Sequence, residues 1–266
     1  MSTPRRIRRT AVLFAVLAWA ATTMACLIVL DDPNAGPDET RREFHRLIPF
    51  SPGGVLALRN LDGDVEIRGW DRNEIEITVE SDQAGPARFG WPVARRTGRP
   101  RFEVEEGAGR LGVRTRWEGD DRAVYPVHYF LNVPRSLALE EAATQKGNIL
   151  IADLYGRAKV SVLDGDLTVE NFSGGLDATV ARGRIRAELL DLRRDDAVRL
   201  TVRTGDLSLA LEPTVSARID AEAWGGISGD WASPGVGRKA DLKLGGGEAS
   251  IVLRTPSGRI ELQKIK

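Results

Sequence analysis

The chain has 266 residues, with 38 Lys and Arg against 38 Asp and Glu, one Cys and two His. This composition excludes an internal disulfide, leaves too few Cys and His for an ordinary structural zinc site, and gives no net charge that would draw nucleic acid. Hydrophobic residues at 42% and charged residues at 29% describe a globular chain long enough to bury a sizeable core.

The charge is unevenly spread. Arg5, Arg6, Arg8 and Arg9 stand in residues 1–30 without any acid, and the rest of the chain keeps 34 basic against 38 acidic side chains. Thr10 to Leu30 then run for 21 residues without a charge, the length that crosses a bilayer as a helix. Asp31, Asp32 and Pro33 stop the run. Basic residues before the segment and acidic residues after it orient the N-terminus toward the cytoplasm and the remainder outside. Residues 1–30 are therefore expected to form a single-span membrane anchor. Two readings compete with it. Ala18-Trp19-Ala20 offers a small-x-small cleavage site and hence a secreted protein, but cleavage there leaves an apolar tail. Cys26, after Thr23-Met24-Ala25, offers a lipid attachment site and hence a lipoprotein. Against that, Thr23 replaces the usual Leu, and Leu27 to Leu30 are apolar where a polar tether is expected. Cys26 also reads as a small apolar residue of a membrane helix.

Residues 31–49 mix Pro, Gly and charge and read as a linker, with room for a short helix over residues 39–47. Residues 50–135 read as the irregular first half of a β body. Strands are expected at 55–59, 65–68, 74–80, 101–105, 111–117 and 127–133, where β-branched and aromatic residues alternate with polar ones. Between them residues 85–100, rich in Gly, Pro and Arg, read as a long exposed excursion.

Residues 136–266 are more regular. Cutting at each Gly-x-(Ile/Leu) gives units of 147–164, 165–182, 183–204 and 205–224, with periods of 18, 18, 22 and 20. Gly225-Gly226-Ile227 opens a further unit; Gly63-Asp64-Val65 and Gly258-Arg259-Ile260 are outlying copies. Each unit is a Gly-polar turn, a short strand, a second turn and a second strand. Leu176, Ala178 and Val180 alternate with Asp177 and Thr179, and Val198, Leu200 and Val202 with Arg199, Thr201 and Arg203. Such alternation sends one face to the core and the other to water. Residues 190–196 look like a loop insertion.

Two short strands cannot bury an apolar face alone, so stacking should align Leu167, Ile185 and Leu207 into internal ladders. The expected fold is all-β: a right-handed parallel β-solenoid of roughly 20-residue, two-strand repeats. A β-propeller or a sandwich is the alternative.

The pattern from Val55 to Val79, with Asn60-Leu61-Asp62-Gly63-Asp64-Val65-Glu66-Ile67 followed by Gly69-Trp70-Asp71-Arg72-Asn73-Glu74-Ile75, resembles the bacterial DUF4097 family of candidate adhesins. Tyr129 to Pro134, Gly147-Asn148-Ile149 and Gly165-Asp166-Leu167 look like the central part of that family. Gly245 to Leu253 and Ser257-Gly258-Arg259-Ile260 look like its ending. The resemblance covers residues 50–264. It implies a repetitive β architecture on an exported protein of the bacterial cell envelope, and it supplies no catalytic motif.

No catalytic, cofactor-binding or metal-ligating residue is assigned. Asp64, Asp166 and Asp206 share the position after the turn Gly and could form an acidic ladder for calcium or sugar, against the plainer reading of solvated turn residues. The Gly-Gly-x-Gly-x-Asp calcium repeat and the EF-hand loop are absent. His45 and His128 lack a hydrolase context, and Gly-x-Ser-x-Gly does not occur. Glu140-Glu141 and Asp195-Asp196 are paired acids, but neighbours on a strand face opposite ways. Trp70, Trp224 and Trp231 are expected in core packing or end-capping. Trp91, with Arg95 and Arg96, is the candidate surface contact, since residues 87–101 hold five Arg and no acid. The expected function is non-enzymatic: adhesion, scaffolding or protein contact at the cell envelope, with a protein or polysaccharide surface as partner. A polysaccharide-active enzyme on a β-helix and an envelope-sensing partner of a membrane protein are the alternatives.

Overall fold

The computed structural model describes residues 41–81, 99–118, 125–232 and 237–265. The apolar N-terminal segment with Cys26, and the segment carrying Trp91, Arg95 and Arg96, lie outside these residues. The described residues contain no helix.

In chain order, β1 is Arg41–Pro49, β2 Val55–Asp62, β3 Val65–Trp70, β4 Glu74–Ser81, β5 Arg99–Gly107, β6 Arg110–Glu118 and β7 Val127–Pro134. The regular part follows as β8 Ala138–Lys146, β9 Ile149–Ala152, β10 Tyr155–Asp164, β11 Leu167–Arg182, β12 Ile185–Asp191, β13 Ala197–Thr204 and β14 Leu207–Leu211. The chain closes with β15 Ala217–Ala223, β16 Ile227–Gly229, β17 Lys239–Leu244, β18 Ala249–Thr255 and β19 Ile260–Lys264.

Two runs of parallel pairing organise these strands. The first run is β6–β2–β8–β10–β11–β13–β18–β15. The second is β7–β3–β9–β11–β12–β14–β19–β16. The 16 residues of β11 take part in both, its start in the second and its end in the first, so all strands belong to one nearly closed, barrel-like sheet. The all-β expectation holds. A wholly parallel stack does not: antiparallel β5 flanks the first run at one end and β17 at the other, and antiparallel β4 and β1 extend the second. A parallel neighbour needs a full crossover of chain, whereas an antiparallel one needs only a turn; the β5–β6 hairpin finishes one end of the first run in this way, while β4, β1 and β17 pair with strands that are not their neighbours in the chain.

The last repeats are also not in sequence order. β18 lies between β13 and β15, and β19 between β14 and β16. The antiparallel strand β17 reverses the chain after β15 and β16, and the C-terminal unit returns between its predecessors. A second correction concerns residues 39–47. No helix forms there; β1 pairs with β4, Phe44 and Ile48 turn inward, and His45 and Leu47 turn out. Cross-strand pairing and burial of two apolar side chains outweigh local helical preference. The expected insertion at 190–196 is short: β12 runs to Asp191, Leu192 is buried, and Arg193 to Asp196 make a tight turn.

The core follows the alternation in the sequence. Val65, Ile149, Leu167, Ile185, Leu207, Ile260 and Ile227 stand in register and are buried. Leu58, Ala142, Val160, Ala178, Leu200, Leu253 and Ala221 do the same in the first run. Where the run begins, aromatic rings close the core: Phe102 packs near both Phe44 and Tyr129 at 6.3 Å, and Trp117 meets Tyr125 edge-on at 4.7 Å. Buried Asn60 serves the same end. Its amide donates to the carbonyls of Gly63 (3.1 Å) and Val127 (2.7 Å), and its oxygen accepts from Leu61 N–H at 2.9 Å. Thr115 links that oxygen to the Tyr129 hydroxyl. Burial pushes the Tyr129 phenol well above its ordinary pKa.

The tightest constraint is at the corner between the two runs. Gly63, Gly147, Gly165, Gly183 and Gly205 have φ of 114°, 118°, 145°, 136° and 130°. Each stacks on the one before, and a Cβ on Gly147, Gly165, Gly183 or Gly205 would overlap the carbonyl oxygen of the preceding corner. Gly258 meets the Gly205 carbonyl in the same way. At the five corners with positive φ both the dihedral and the space therefore demand glycine, and at Gly258 the space alone does. At Gly107 an added Cβ would meet nothing closer than 3.8 Å. Gly165→Ala is expected to lower unfolding free energy by about 2–4 kcal/mol, and Gly107→Ala to change it by no more than about 0.5 kcal/mol, as read by urea denaturation.

Candidate functional site

The residue after each corner glycine faces outward, and its role is now visible. Asn148 N–H donates to Asp64 Oδ1 at 2.7 Å, Asp166 N–H to Asn148 Oδ1 at 2.9 Å, and Arg184 N–H to Asp166 Oδ1 at 2.8 Å. Arg259 N–H donates to Asp206 Oδ1 at 2.9 Å. The short polar side chain thus ties each unit to the next. Between Arg184 and Asp206 the chain of bonds is interrupted, because arginine carries no acceptor. Asp166 also holds the Arg184 guanidinium at 2.7 Å. Asp64 N–H donates to His128 Nδ1 at 3.1 Å. Asp64, Asp166 and Asp206 do not converge on a cation: no group of three or more His, Cys, Asp or Glu suited to a metal occurs among the described residues.

His45 is not in a tether. From β1 its Nε2 lies 3.0 Å from Glu76 Oε1, and Asn132 donates to the other Glu76 oxygen at 2.9 Å. The His45 contact first, and Asn132 second, hold Glu76 below the usual carboxylate range. That contribution to stability is present above the unfolded carboxylate pKa and is lost as pH falls through the folded one.

Among the described residues, open grooves cross the outer faces, two of them larger than the rest that line the strands. The larger, of about 770 Å³, lies on the first run beside the β5–β6 hairpin. Glu140 and Glu141 both line it, contrary to the rule that strand neighbours face opposite ways. A register shift makes this possible: Leu56 pairs with Leu139 but Ala57 with Glu141, so Glu140 is the extra residue of a bulge. Neither acid is idle. Glu141 pairs with Arg59 and Glu140 with Arg110, both at 2.6 Å. Glu103 and Glu105 pair with Arg114, and Glu106 with Arg46 at 2.7 Å. Asp196 is occupied too, accepting from Arg193 N–H at 2.8 Å. Exposed pairs of this kind contribute about 0–1 kcal/mol each; their effect is to use up the charge of the groove's carboxylates.

The smaller groove, of about 440 Å³, lies on the second run near the glycine corner. Along it Thr168, Arg186, Ser208 and Glu261 stand in register on β11, β12, β14 and β19, with Ser228 beyond on β16. Little in the sequence marked this place, because its members come one per unit from distant parts of the chain.

The tryptophans divide. Trp70 donates to the Glu74 carbonyl at 2.8 Å and Trp231 to the Gln263 carbonyl at 2.9 Å, and both are half-buried. Trp231 packs against the core near its far end, consistent with capping. Trp224 does not fill the core: it is 63% exposed, with the Arg238 guanidinium 3.7 Å from its ring centre. Its position at the corner, one residue before Gly225, turns the ring outward.

No family model matches the chain, and no curated protein matches it. Among solved structures, it is similar to a candidate cell adhesion protein from Clostridium sporogenes, at 13% identity and a TM-score of 0.49, over 84% of this chain and 99% of that one. A candidate adhesin from Bacteroides fragilis gives 10% identity and a TM-score of 0.35, over 84% and 96%. A candidate lipid binding protein from Parabacteroides distasonis gives 12% and 0.25 over the same shares.

The corner bonds make a prediction about Asp166. Asp166→Asn keeps the Oδ acceptor and should leave the melting temperature nearly unchanged, since Asn148 makes the same bond in the preceding unit. Asp166→Ala should cost about 1 kcal/mol. Millimolar calcium should shift neither melting curve; a calcium-dependent rise would restore the cation reading.

Proposed function

We propose that this chain is a non-enzymatic protein of the bacterial envelope that works by surface contact, in adhesion, scaffolding or protein assembly. Its units would stack as the coils of a β-solenoid, and the apolar N-terminal segment would anchor it with the body outside the cytoplasm. The resemblance to the DUF4097 family supports this reading through the residues quoted above.

The observation that carries it is the outer face of the stack. Thr179 and Thr201, Asp177 and Arg199, and Thr168, Arg186 and Ser208 repeat in register from strand to strand. A regular column of outward polar side chains on a firmly stacked sheet suits a long contact, since the binding groups are already ordered. The carboxylates of the larger groove are each matched to an arginine, which supports contact over acid–base chemistry.

A photo-crosslinking amino acid in place of outward Thr179 or Thr201, in the full chain incubated with intact envelopes, should give discrete adducts with an envelope component. Absence of adducts at both positions would contradict the proposal. So would new reducing ends released from envelope polysaccharide in the same incubation.

A further inference from the structure

The two grooves differ in what their side chains have left to offer. In the larger one Arg59, Arg110 and Arg114 are each held by a carboxylate. In the smaller one only Asp166 and Arg184 are spent on each other. Among the described residues, the side chains of Arg186, Ser208, Glu261 and Ser228 have no hydrogen-bond or ion-pair partner, and the Arg259 guanidinium is likewise free. Asp206 gives one oxygen to Arg259 N–H and keeps the other.

The free charges cancel. Arg186 and Arg259 are positive, Asp206 and Glu261 negative. Such a surface exerts no net pull on a polyanion or a polycation. A ligand must instead accept from guanidinium and serine hydroxyl and donate to carboxylate in close succession. A hydroxyl does both, and adjacent sugar hydroxyls present that pair repeatedly. The groove spans five strands, β11, β12, β14, β19 and β16. At about 4.8 Å per strand, successive side chains in it recur at close to the length of one pyranose unit.

A second observation concerns the corner that leads into Ser228 of this groove. Gly225 N–H bonds the Gly258 carbonyl at 2.8 Å, directly before Arg259, and the preceding Trp224 is 63% exposed. Arg238 covers one face of the indole at 3.7 Å and fixes its plane. A steady, exposed aromatic ring beside a polar column suits the apolar face of a sugar ring.

We infer that the groove on the β11–β12–β14–β19 face binds a neutral polysaccharide strand lying across the strands, with Arg186, Ser208 and Glu261 as hydrogen-bonding groups and Trp224 as the stacking platform. The inference rests on the surface-contact reading above and names its ligand class.

Affinity electrophoresis of the full chain through gels containing dextran, galactomannan or hydroxyethylcellulose tests it. Retardation is expected in at least one of the three and should persist in about 0.5 M salt. The double variant Arg186→Ala/Glu261→Ala and the single variant Trp224→Ala should each weaken it about tenfold or more, with melting temperatures close to that of the parent. Arg59→Ala, in the other groove, should leave it unchanged. Migration unaffected by all three polymers overturns the inference, as does retardation that survives both groove variants. Retardation by polygalacturonate alone that vanishes in salt, or by an extended peptide polymer alone, overturns it too. The envelope crosslinks from Thr179 and Thr201 separate the two levels: adducts without polysaccharide retardation leave the contact reading standing and remove only the glycan.

Discussion

Everything regular in this protein depends on a corner where successive units touch backbone to backbone. Gly147, Gly165, Gly183 and Gly205 each place the α-carbon against the carbonyl of the corner before it. No side chain fits, so the strands on either side approach to ladder distance without a gap. The N–H groups of Gly147, Gly165 and Gly183 bond the carbonyls of Asp164, Arg182 and Thr204, the last residues of the same units, at 3.0, 2.9 and 3.0 Å. Backbone donors removed from water need such partners, and here each partner stands directly before the following corner glycine. The outward Asp or Asn then adds one side-chain bond per step.

From that corner the register of both runs follows. Once Gly165 is seated on Gly147, Leu167 must face Ile149 and Val180 must face Val162. A slip of one residue would turn every apolar side chain outward. Ends are the remaining difficulty, because a stack of parallel strands exposes unpaired edges. The protein answers with antiparallel end strands and with shape. Phe44, Phe102, Trp117 and Tyr125 gather where the stack begins, and Trp231, Leu242 and Leu244 pack against the core elsewhere. The polar chain from Asn60 through Thr115 to Tyr129 satisfies the carbonyls left at the first corner.

Much of this was legible in the sequence, and for a physical reason. The Gly-Asp-Leu signature carries both the dihedral and the side-chain bond of the corner, and period-two alternation carries the face. So Leu167, Ile185 and Leu207 could be aligned without coordinates, and six irregular strands of the first half could be placed. What was not legible depended on partners distant in the chain. Nothing local to β1 announces β4, so residues 41–49 read as linker or helix. Nothing in the C-terminal repeat says that it inserts between its two predecessors. The bulge at Glu140 reverses the expected facing of an acidic pair, and bulges leave no dependable local mark. The smaller groove takes one residue from each unit, and Trp224 looks in sequence like any core tryptophan.

The outer faces inherit their order from the inner ones. Arg186 stands beside Ser208 because Ile185 stands beside Leu207. An outer face built this way is ordered in advance, and the cost of ordering it is met by the core. Hydrogen exchange measured amide by amide tests the corner most directly. If the glycine column holds the units together, the amides of Gly147, Gly165 and Gly183 should exchange as slowly as those of Leu167 and Ile185 within the strands, although they lie in turns. Exchange at these glycines as fast as at Gly53, in the surface turn before β2, would contradict the account.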